Sequence, residues 1–179
     1  VVNAVAFSPD DRWLASGSRD GTFKVWDTAT GENVFDQSIA GLTIGDASSE
    51  VLDVDFSPDG TLVYALGARG LLAWSVADWT LRFQAALPGA KFAVSPDGSL
   101  LAVGSRGVPG DRSLHFLNST TGEEVVPLSF SIPTYQSFGV MDVAFSPDGT
   151  RLIAIIQEGP QDSEELSIWS WPKGELDVH

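Results

Sequence analysis

The sequence has 179 residues, 43% of them hydrophobic, and it contains no cysteine. Ten Lys and Arg residues stand against 24 Asp and Glu residues, so the formal net charge is −14. This charge repels phosphate backbones and anionic lipid, so we expect neither a nucleic-acid partner nor a membrane partner. The missing cysteines exclude disulfides and cysteine metal sites, and they favour a reducing compartment such as the cytoplasm.

The chain start and the apolar runs give two further expectations. No apolar run approaches the roughly 20 residues that span a bilayer, so we expect no membrane-spanning segment. The sequence begins at Val1, inside a strand-like run and without an initial Met. We therefore expect this sequence to be a segment of a longer chain.

One short pattern recurs four times and organises the whole sequence. The copies are VAFSPDDRWL (5–14), VDFSPDGTLV (54–63), FAVSPDGSLL (92–101) and VAFSPDGTRL (143–152). Their serines, Ser8, Ser57, Ser95 and Ser146, have a mean spacing of about 46 residues, which is close to the length of a propeller blade. An internal repeat of this length predicts stacked, similar units.

Each Ser-Pro-Asp corner predicts a tight turn between two strands. Pro presets φ for the turn, and the Gly that follows Asp supplies a left-handed residue. The first copy has Asp11 in place of that Gly, and Asp adopts this conformation more readily than most residues.

Strand patterns surround each corner. Before it, large residues alternate with small or polar ones, so one face of the strand is bulky and the other shallow. We expect the bulky face of one sheet to pack on the shallow face of the next. After it come nearly continuous apolar runs, and two further strand-like segments complete each unit. The sequence therefore predicts an all-β fold of four units, each a four-stranded antiparallel meander.

These residues resemble the WD-repeat β-propeller family. The resemblance is carried by the four corners, by Trp26-Asp27 with the Thr-Gly-Glu turn after it, and by Ser18-Arg19-Asp20-Gly21. It implies four blades, at approximately 1–46, 47–87, 88–136 and 137–179, which form a sector of a β-propeller. Propellers have four to eight blades, and this family usually has about seven. We therefore expect the parent chain or a second copy to supply the remaining blades.

The sequence also departs from the family pattern. No repeat has the family's Gly-His pair, and only the first keeps Trp-Asp. In the second repeat, Trp79 occupies the position of the turn glycine. We therefore expect blade stability to depend mainly on packing between sheets.

An arginine recurs at the end of the second strand in three repeats. These residues are Arg19, Arg69 and Arg106, on the face that the family resemblance identifies as a partner surface. Three spaced guanidinium groups could bind an acidic or phosphorylated peptide. In the alternative interpretation each Arg pairs locally, as Arg19 with Asp20 or Arg106 with Asp111.

A long loop at 129–139 carries an unusual number of aromatic residues. Tyr135 and Phe138 could anchor an interface, since exposed aromatic side chains are enriched there. The alternative is that the loop folds onto its own core. The five candidate partner-binding residues are thus Arg19, Arg69, Arg106, Tyr135 and Phe138.

The first strand of each unit places one aligned residue toward the propeller channel. These residues are Ala4, Asp53, Lys91 and Asp142, and Asp55 shares a face with Asp53. Converging carboxylates could bind a hard cation, but no repeated ligand pattern supports a metal site. Hydration of a polar channel is the interpretation that we prefer.

The sequence lacks the usual parts of an enzyme. It has two His, no Cys, no phosphate-binding loop and no nucleophile elbow, so we predict no catalytic residue and no cofactor. We predict a non-catalytic scaffold for protein–protein interaction that binds a protein or peptide. The alternatives are the accessory propeller of a multidomain enzyme, of peptidase or kinase type, and a propeller enzyme with a cation in its channel.

Overall fold

A computed structural model describes most of the chain. The described residues are 1–39, 50–68, 70–87, 89–105, 114–125, 137–158, 163–173 and 175–178. Fifteen β-strands form four antiparallel sheets within these ranges, and strands that follow one another in the chain pair with one another. None of these residues forms a helix, so this part of the chain contains no helix able to cross a bilayer.

The first two sheets each contain four strands. In the first sheet they are β1 (Val2–Phe7), β2 (Trp13–Ser18), β3 (Thr22–Asp27) and β4 (Asn33–Ser38). In the second they are β5 (Val51–Phe56), β6 (Leu62–Gly67), β7 (Gly70–Ser75) and β8 (Leu81–Ala85). The predicted four-stranded meander is confirmed in both sheets.

The third and fourth sheets repeat the pattern. The third contains β9 (Lys91–Val94), β10 (Leu100–Gly104) and β11 (Leu114–Asn118), and Leu117 forms an isolated bridge with Glu124. The fourth contains β12 (Ser137–Phe145), β13 (Arg151–Glu158), β14 (Ser163–Ser170) and β15 (Leu176–Val178). In the third sheet the residues after 125 lie outside the described ranges, so its fourth strand stays a prediction.

All four Ser-Pro-Asp corners have the same hydrogen bonds. In the first, the Ser8 hydroxyl donates to Asp10 Oδ1 at 2.6 Å and accepts from the Trp13 backbone N–H at 2.9 Å. The corners at Ser57, Ser95 and Ser146 repeat both distances. Each corner therefore fixes the register of the two strands that it joins through its own side chains.

These corners predict that acid destabilises the protein. Hydrogen bonds from Ser146 and Thr150 lower the pKa of Asp148 to about 2. Serine hydrogen bonds likewise lower the pKa of Asp10, Asp59 and Asp97. The ordinary pKa of an aspartate is 3.8, so the unfolded chain binds more protons below about pH 4 than the folded chain does. The stabilisation is complete above about pH 4 and is lost as the pH falls through the folded-state pKa values.

Thermal unfolding between about pH 6 and about pH 2 measures this effect, and we expect the Tm to fall below about pH 4. Asp148→Asn is the matched variant, since it keeps an acceptor oxygen in the corner and cannot titrate. Its Tm should depend less steeply on pH than that of the wild type. A wild-type Tm that stays constant across the acid range would show that the corner carboxylates do not stabilise the fold.

Two non-glycine residues adopt the left-handed conformation. Asp11 has φ 60°, as predicted for the corner without Gly, and Trp79 has φ 56° where Gly31 and Gly122 have 73° and 71°. The turn therefore survives the replacement of glycine by Trp79. Its ring stacks on Phe35 at 5.3 Å and meets Trp13 edge-on at 5.6 Å. Left-handed backbone in a bulky residue costs of order 1–3 kcal/mol, and these ring contacts offset part of that cost.

Residues 1–89, with 120–122, form one compact unit, in which the first sheet packs face to face on the second. The first sheet contributes the small residues Ala4, Ala6 and Ala15 of β1 and β2, together with Phe23 and Val25 of β3. The second contributes a bulky face of Val51, Val54, Phe56, Val63 and Trp74. The predicted packing of a bulky face on a shallow one is thus confirmed for the first two strands of the first sheet. All six residues of β6 are buried, as its apolar run predicts.

Residues 90–119 and 123–179 form the other unit, which repeats this packing. Its core joins Ala102, Leu114 and Phe116 of the third sheet to residues of the fourth sheet, which are Val140, Val143, Leu152, Ala154 and Trp169. The side chains of this core are 0–5% exposed. Burial of each large apolar side chain contributes about 1.5–3 kcal/mol. Packing between sheets is thus a main source of stability in both units.

Candidate functional site

The β2–β3 loop of the first sheet is a tight turn fixed by its own backbone. The Arg19 N–H donates to the Val1 carbonyl at 2.8 Å, and the Gly21 N–H donates to the Ser18 carbonyl at 3.1 Å. Gly21 has φ 84°, a conformation that strongly favours glycine. Asp20 accepts from the Thr22 hydroxyl at 2.6 Å, and this hydrogen bond lowers the pKa of Asp20. The turn therefore holds Arg19 at a defined position.

The Arg19 side chain reaches the beginning of the second sheet. Its Nε donates to Glu50 Oε1 at 3.0 Å, and the side chain remains 70% exposed. The interpretation that Arg19 pairs with Asp20 is therefore wrong, because Asp20 caps the turn and Glu50 takes the guanidinium. Such an exposed pair contributes at most about 1 kcal/mol to stability. Arginine has five N–H donors, and the pair with Glu50 uses only Nε.

The other candidate contact residues lie largely outside the described residues. This applies to Arg69, Arg106 and Tyr135 and to the side chain of Phe138, whose backbone lies in β12. Arg19 is consequently the candidate whose surroundings the structure describes. The proposal that these residues share one surface stays a prediction.

Asp53 and Asp55 of β5 were predicted to lie on one face, and the structure describes the surroundings of Asp55. Asp55 is partly buried and accepts from the Phe56 N–H at 2.8 Å. Desolvation raises the pKa of Asp55, the Phe56 hydrogen bond opposes the rise, and the nearby charge of Asp53 adds to it. Among the described residues no three His, Cys, Asp or Glu side chains form a group that could hold a metal ion.

His115 lies in β11, at the position that corresponds to Lys24 in the first repeat. The His115 side chain is 11% exposed, and its Nδ1 lies 3.2 Å from Glu124 Oε1. Lys24 likewise pairs with a carboxylate of the neighbouring strand, Asp36, at 2.8 Å. Both positions thus join the third strand of a sheet to the segment that follows it.

The outward face of the first sheet is an exposed apolar surface that the sequence pattern did not predict. Val5 and Phe7 of β1 are each 62% exposed, although they are large and apolar. Val2 on the same strand is 60% exposed. The alternation of large and small residues in β1 shows that one face is bulky, but it does not show whether another sheet covers that face.

Comparison with known proteins adds sequence relatives. Residues 1–27 match the family model described as WD domain, G-beta repeat. U3 small nucleolar RNA-associated protein 21 of Saccharomyces cerevisiae is 29% identical over 97% of this chain and 19% of its own length. Nuclear distribution protein PAC1 of Arthroderma otae is 31% identical over 94% of this chain and 36% of its own length. The chain thus spans between a fifth and about a third of the length of these relatives.

A solved structure has the same fold. A chain of Kuenenia stuttgartiensis hydrazine synthase matches 99% of this chain, and 48% of its own, with a TM-score of 0.81 and 16% sequence identity. At this identity the likeness concerns the fold alone.

Antiparallel sheets that follow one another along the chain and pack bulky face on shallow face define a β-propeller protein. The corner hydrogen bonds recur in every sheet, and the Trp26 indole donates to the Ser16 hydroxyl at 2.9 Å. With the sequence relatives, these features identify the blade type. The chain belongs to the WD-repeat family.

Proposed function

We propose that this chain is a non-catalytic scaffold that binds a protein or peptide partner through the loops between second and third strands. Arg19, Arg69 and Arg106 supply cations for carboxylates or phosphate groups on the partner. Tyr135 of the long loop and Phe138, whose backbone lies in β12, supply apolar anchors. The partner-binding mechanism is geometric, because packed sheets hold the loops in place and the loops carry the contacts.

The observation that carries this proposal is the geometry of Arg19. Its backbone is fixed by the Ser18–Gly21 turn, and Glu50 holds Nε, while the side chain is 70% exposed. A guanidinium that is oriented before binding loses less conformational entropy when it meets an anion.

Charge reversal at Arg19 tests the proposal. The probes are labelled peptides that carry phosphoserine or a run of glutamates, and fluorescence anisotropy measures their binding. We expect Arg19→Glu to weaken binding about tenfold or more, since hydrogen bonds to charged groups contribute about 1.5–3 kcal/mol. Arg19→Lys, which keeps the charge and loses the planar fork, should weaken binding less.

Arg12→Glu is the matched control. It makes the same change of net charge at the other end of β2, in the first corner, where the Arg12 guanidinium lies 4.4 Å from the Trp13 ring. Binding to this variant should stay within about twofold of the wild type at physiological salt, because distant surface charges are screened. Equal losses in the Arg12 and Arg19 variants, or no loss in either, would contradict a site at Arg19.

A further inference from the structure

Glu50, the carboxylate that pairs with Arg19, stands at the start of the second sheet, one residue before β5. Its side chain is 26% exposed, whereas that of Arg19 is 70% exposed. The residue after it is anchored, because the Asn3 amide of the first sheet donates to the Val51 carbonyl at 3.0 Å and the Val51 side chain is fully buried. Glu50 therefore meets Arg19 from a fixed part of the second sheet.

The contact between the two side chains uses one atom of each. Arg19 Nε donates to Glu50 Oε1 at 3.0 Å, and the Arg19 side chain forms no other hydrogen bond with the described residues. A guanidinium has five N–H donors, four of them on its two terminal nitrogens. Glu50 thus orients the planar group through Nε and leaves the terminal nitrogens to a second anion.

Hydrogen-bond geometry does not distinguish between the two classes of anion that Arg19 was proposed to bind. The terminal nitrogens of a guanidinium form two parallel hydrogen bonds with a carboxylate or with a phosphate. Selection between these anions therefore depends on the charges that surround the guanidinium.

Two carboxylates accompany the guanidinium of Arg19. Glu50 is one, and Asp20, the next residue in the chain, is the other. Hydrogen bonds from the hydroxyl and the N–H of Thr22 lower the pKa of Asp20, so Asp20 is anionic at neutral pH. One positive and two negative side chains give this loop a net charge of −1, and the whole chain has a formal charge of −14. An incoming anion is thus bound by N–H donors and repelled by both carboxylates.

This repulsion grows with the charge of the incoming group. A carboxylate carries one negative charge, whereas a phosphate monoester carries about −1.5 to −2 at pH 7. At equal distance the Glu50 carboxylate therefore repels the phosphate up to about twice as strongly. Because Glu50 contacts the guanidinium directly, an anion on the terminal nitrogens lies within the screening length of about 8 Å at physiological salt.

We propose that Glu50 is the positioning residue of the Arg19 site, and that its charge makes the site select carboxylate groups of an acidic peptide over phosphate groups. This inference rests on the partner binding proposed above for the Arg19 loop. Glu50 thus has two separable effects, which are the orientation of the guanidinium through Oε1 and the repulsion of highly charged anions.

Two substitutions at Glu50 separate these effects. The probes are two labelled peptides of one sequence, with glutamates in the first and phosphoserines at the same positions in the second, and fluorescence anisotropy measures their binding. The wild type should bind the glutamate peptide more tightly. Glu50→Gln keeps an acceptor oxygen for Nε and removes the charge. It should therefore raise the affinity for the phosphoserine peptide about threefold more than the affinity for the glutamate peptide.

Glu50→Ala removes the acceptor together with the charge. The guanidinium then loses more conformational entropy on binding. We expect this variant to bind both peptides more weakly than Glu50→Gln, by about the same factor for each peptide. Equal affinities of the Gln and Ala variants would show that Glu50 does not position Arg19.

Asp78→Asn is the matched control. Asp78 Oδ1 lies 3.6 Å from Arg82 Nη2, and the turn that contains Asp78 is at the end of the second sheet opposite Glu50. The substitution removes the same charge and keeps an acceptor oxygen. The ratio of the two affinities should stay within about twofold of the wild-type ratio, because salt screens distant charges. All proteins carry an acetylated Val1, since the terminal ammonium acts on Asp20.

Two further results would overturn the selectivity. One is tighter binding of the phosphoserine peptide by the wild type, and the other is an affinity ratio in Glu50→Gln that equals the ratio in Asp78→Asn. Arg19→Glu distinguishes these results from failure of the proposed function. If Arg19→Glu weakens binding of both peptides while Glu50→Gln leaves their ratio unchanged, the Arg19 site stands and the role of Glu50 is wrong. If Arg19→Glu leaves both affinities unchanged, the Arg19 site itself is wrong.

Discussion

Replacing Trp74 with alanine should lower the free energy of unfolding by about 3–5 kcal/mol. Trp74 is 2% exposed, and its ring stacks on Phe23 at 4.9 Å and 15°. Phe35 meets the same ring at 6.0 Å. The substitution leaves a cavity between the first and second sheets, lined by side chains that cannot close it without moving the sheets.

Chemical denaturation followed by circular dichroism measures this loss. Phe7→Ala is the informative control, since Phe7 is 62% exposed and occupies in the first sheet the position that the buried Phe56 occupies in the second. It should cost less than about 1 kcal/mol because most of its ring is already in water. Similar losses in the Trp74 and Phe7 variants would contradict the assigned difference between a buried and an exposed face of these sheets.

Gly17→Leu should destabilise the protein by about 1–3 kcal/mol or more. A Cβ at this position would overlap Val51 and approach Val54, and both residues lie in the covered bulky face of the second sheet. Gly17→Ala should cost less, since it adds a single methyl group. The midpoint of thermal unfolding orders the three proteins, and a Leu variant as stable as the wild type would show that the first two sheets do not pack this closely.

Much of the fold could be predicted because its signals are local. Pro9 presets one turn angle, and Ser8 and Asp10 close the corner with a hydrogen bond between residues two apart. Alternation in β1 predicts which residues share a face, and Ala4 and Ala6 do lie on the face that packs against the second sheet. These features depend on neighbours in sequence, so the sequence contains enough information to predict them.

The partner of Arg19 could not be predicted in this way. Glu50 lies 31 residues further along the chain, and Asp20 is the adjacent carboxylate. Asp20 is already committed to the turn by the hydroxyl and the N–H of Thr22. Because Asp20 accepts hydrogen bonds from Thr22, the Arg19 guanidinium pairs with the more distant Glu50.

The exposure of Val5 and Phe7 could likewise not be predicted from the local sequence pattern. Phe7 and Phe56 occur in almost identical sequence contexts, yet their exposed fractions are 62% and 4%. The difference arises from whether a second sheet packs on them, which is a tertiary property. Trp79 gives a related example, because ring contacts with Phe35 and Trp13 hold a conformation that its residue type disfavours.

Within each unit the sheets pack closely because a glycine faces a large residue, as Gly17 faces Val51 and Gly104 faces Val140, and Gly89 likewise contacts Leu66. A double-mutant cycle at Gly17 and Val51 tests this central claim most directly. The double variant Gly17→Leu with Val51→Gly recreates the Leu66–Gly89 arrangement between the first and second sheets. Free energies of unfolding should show the double variant to be more stable than the sum of the single variants predicts, by about 1 kcal/mol or more. Additive losses, within about 0.5 kcal/mol, would contradict the claim that these two positions pack through complementary sizes.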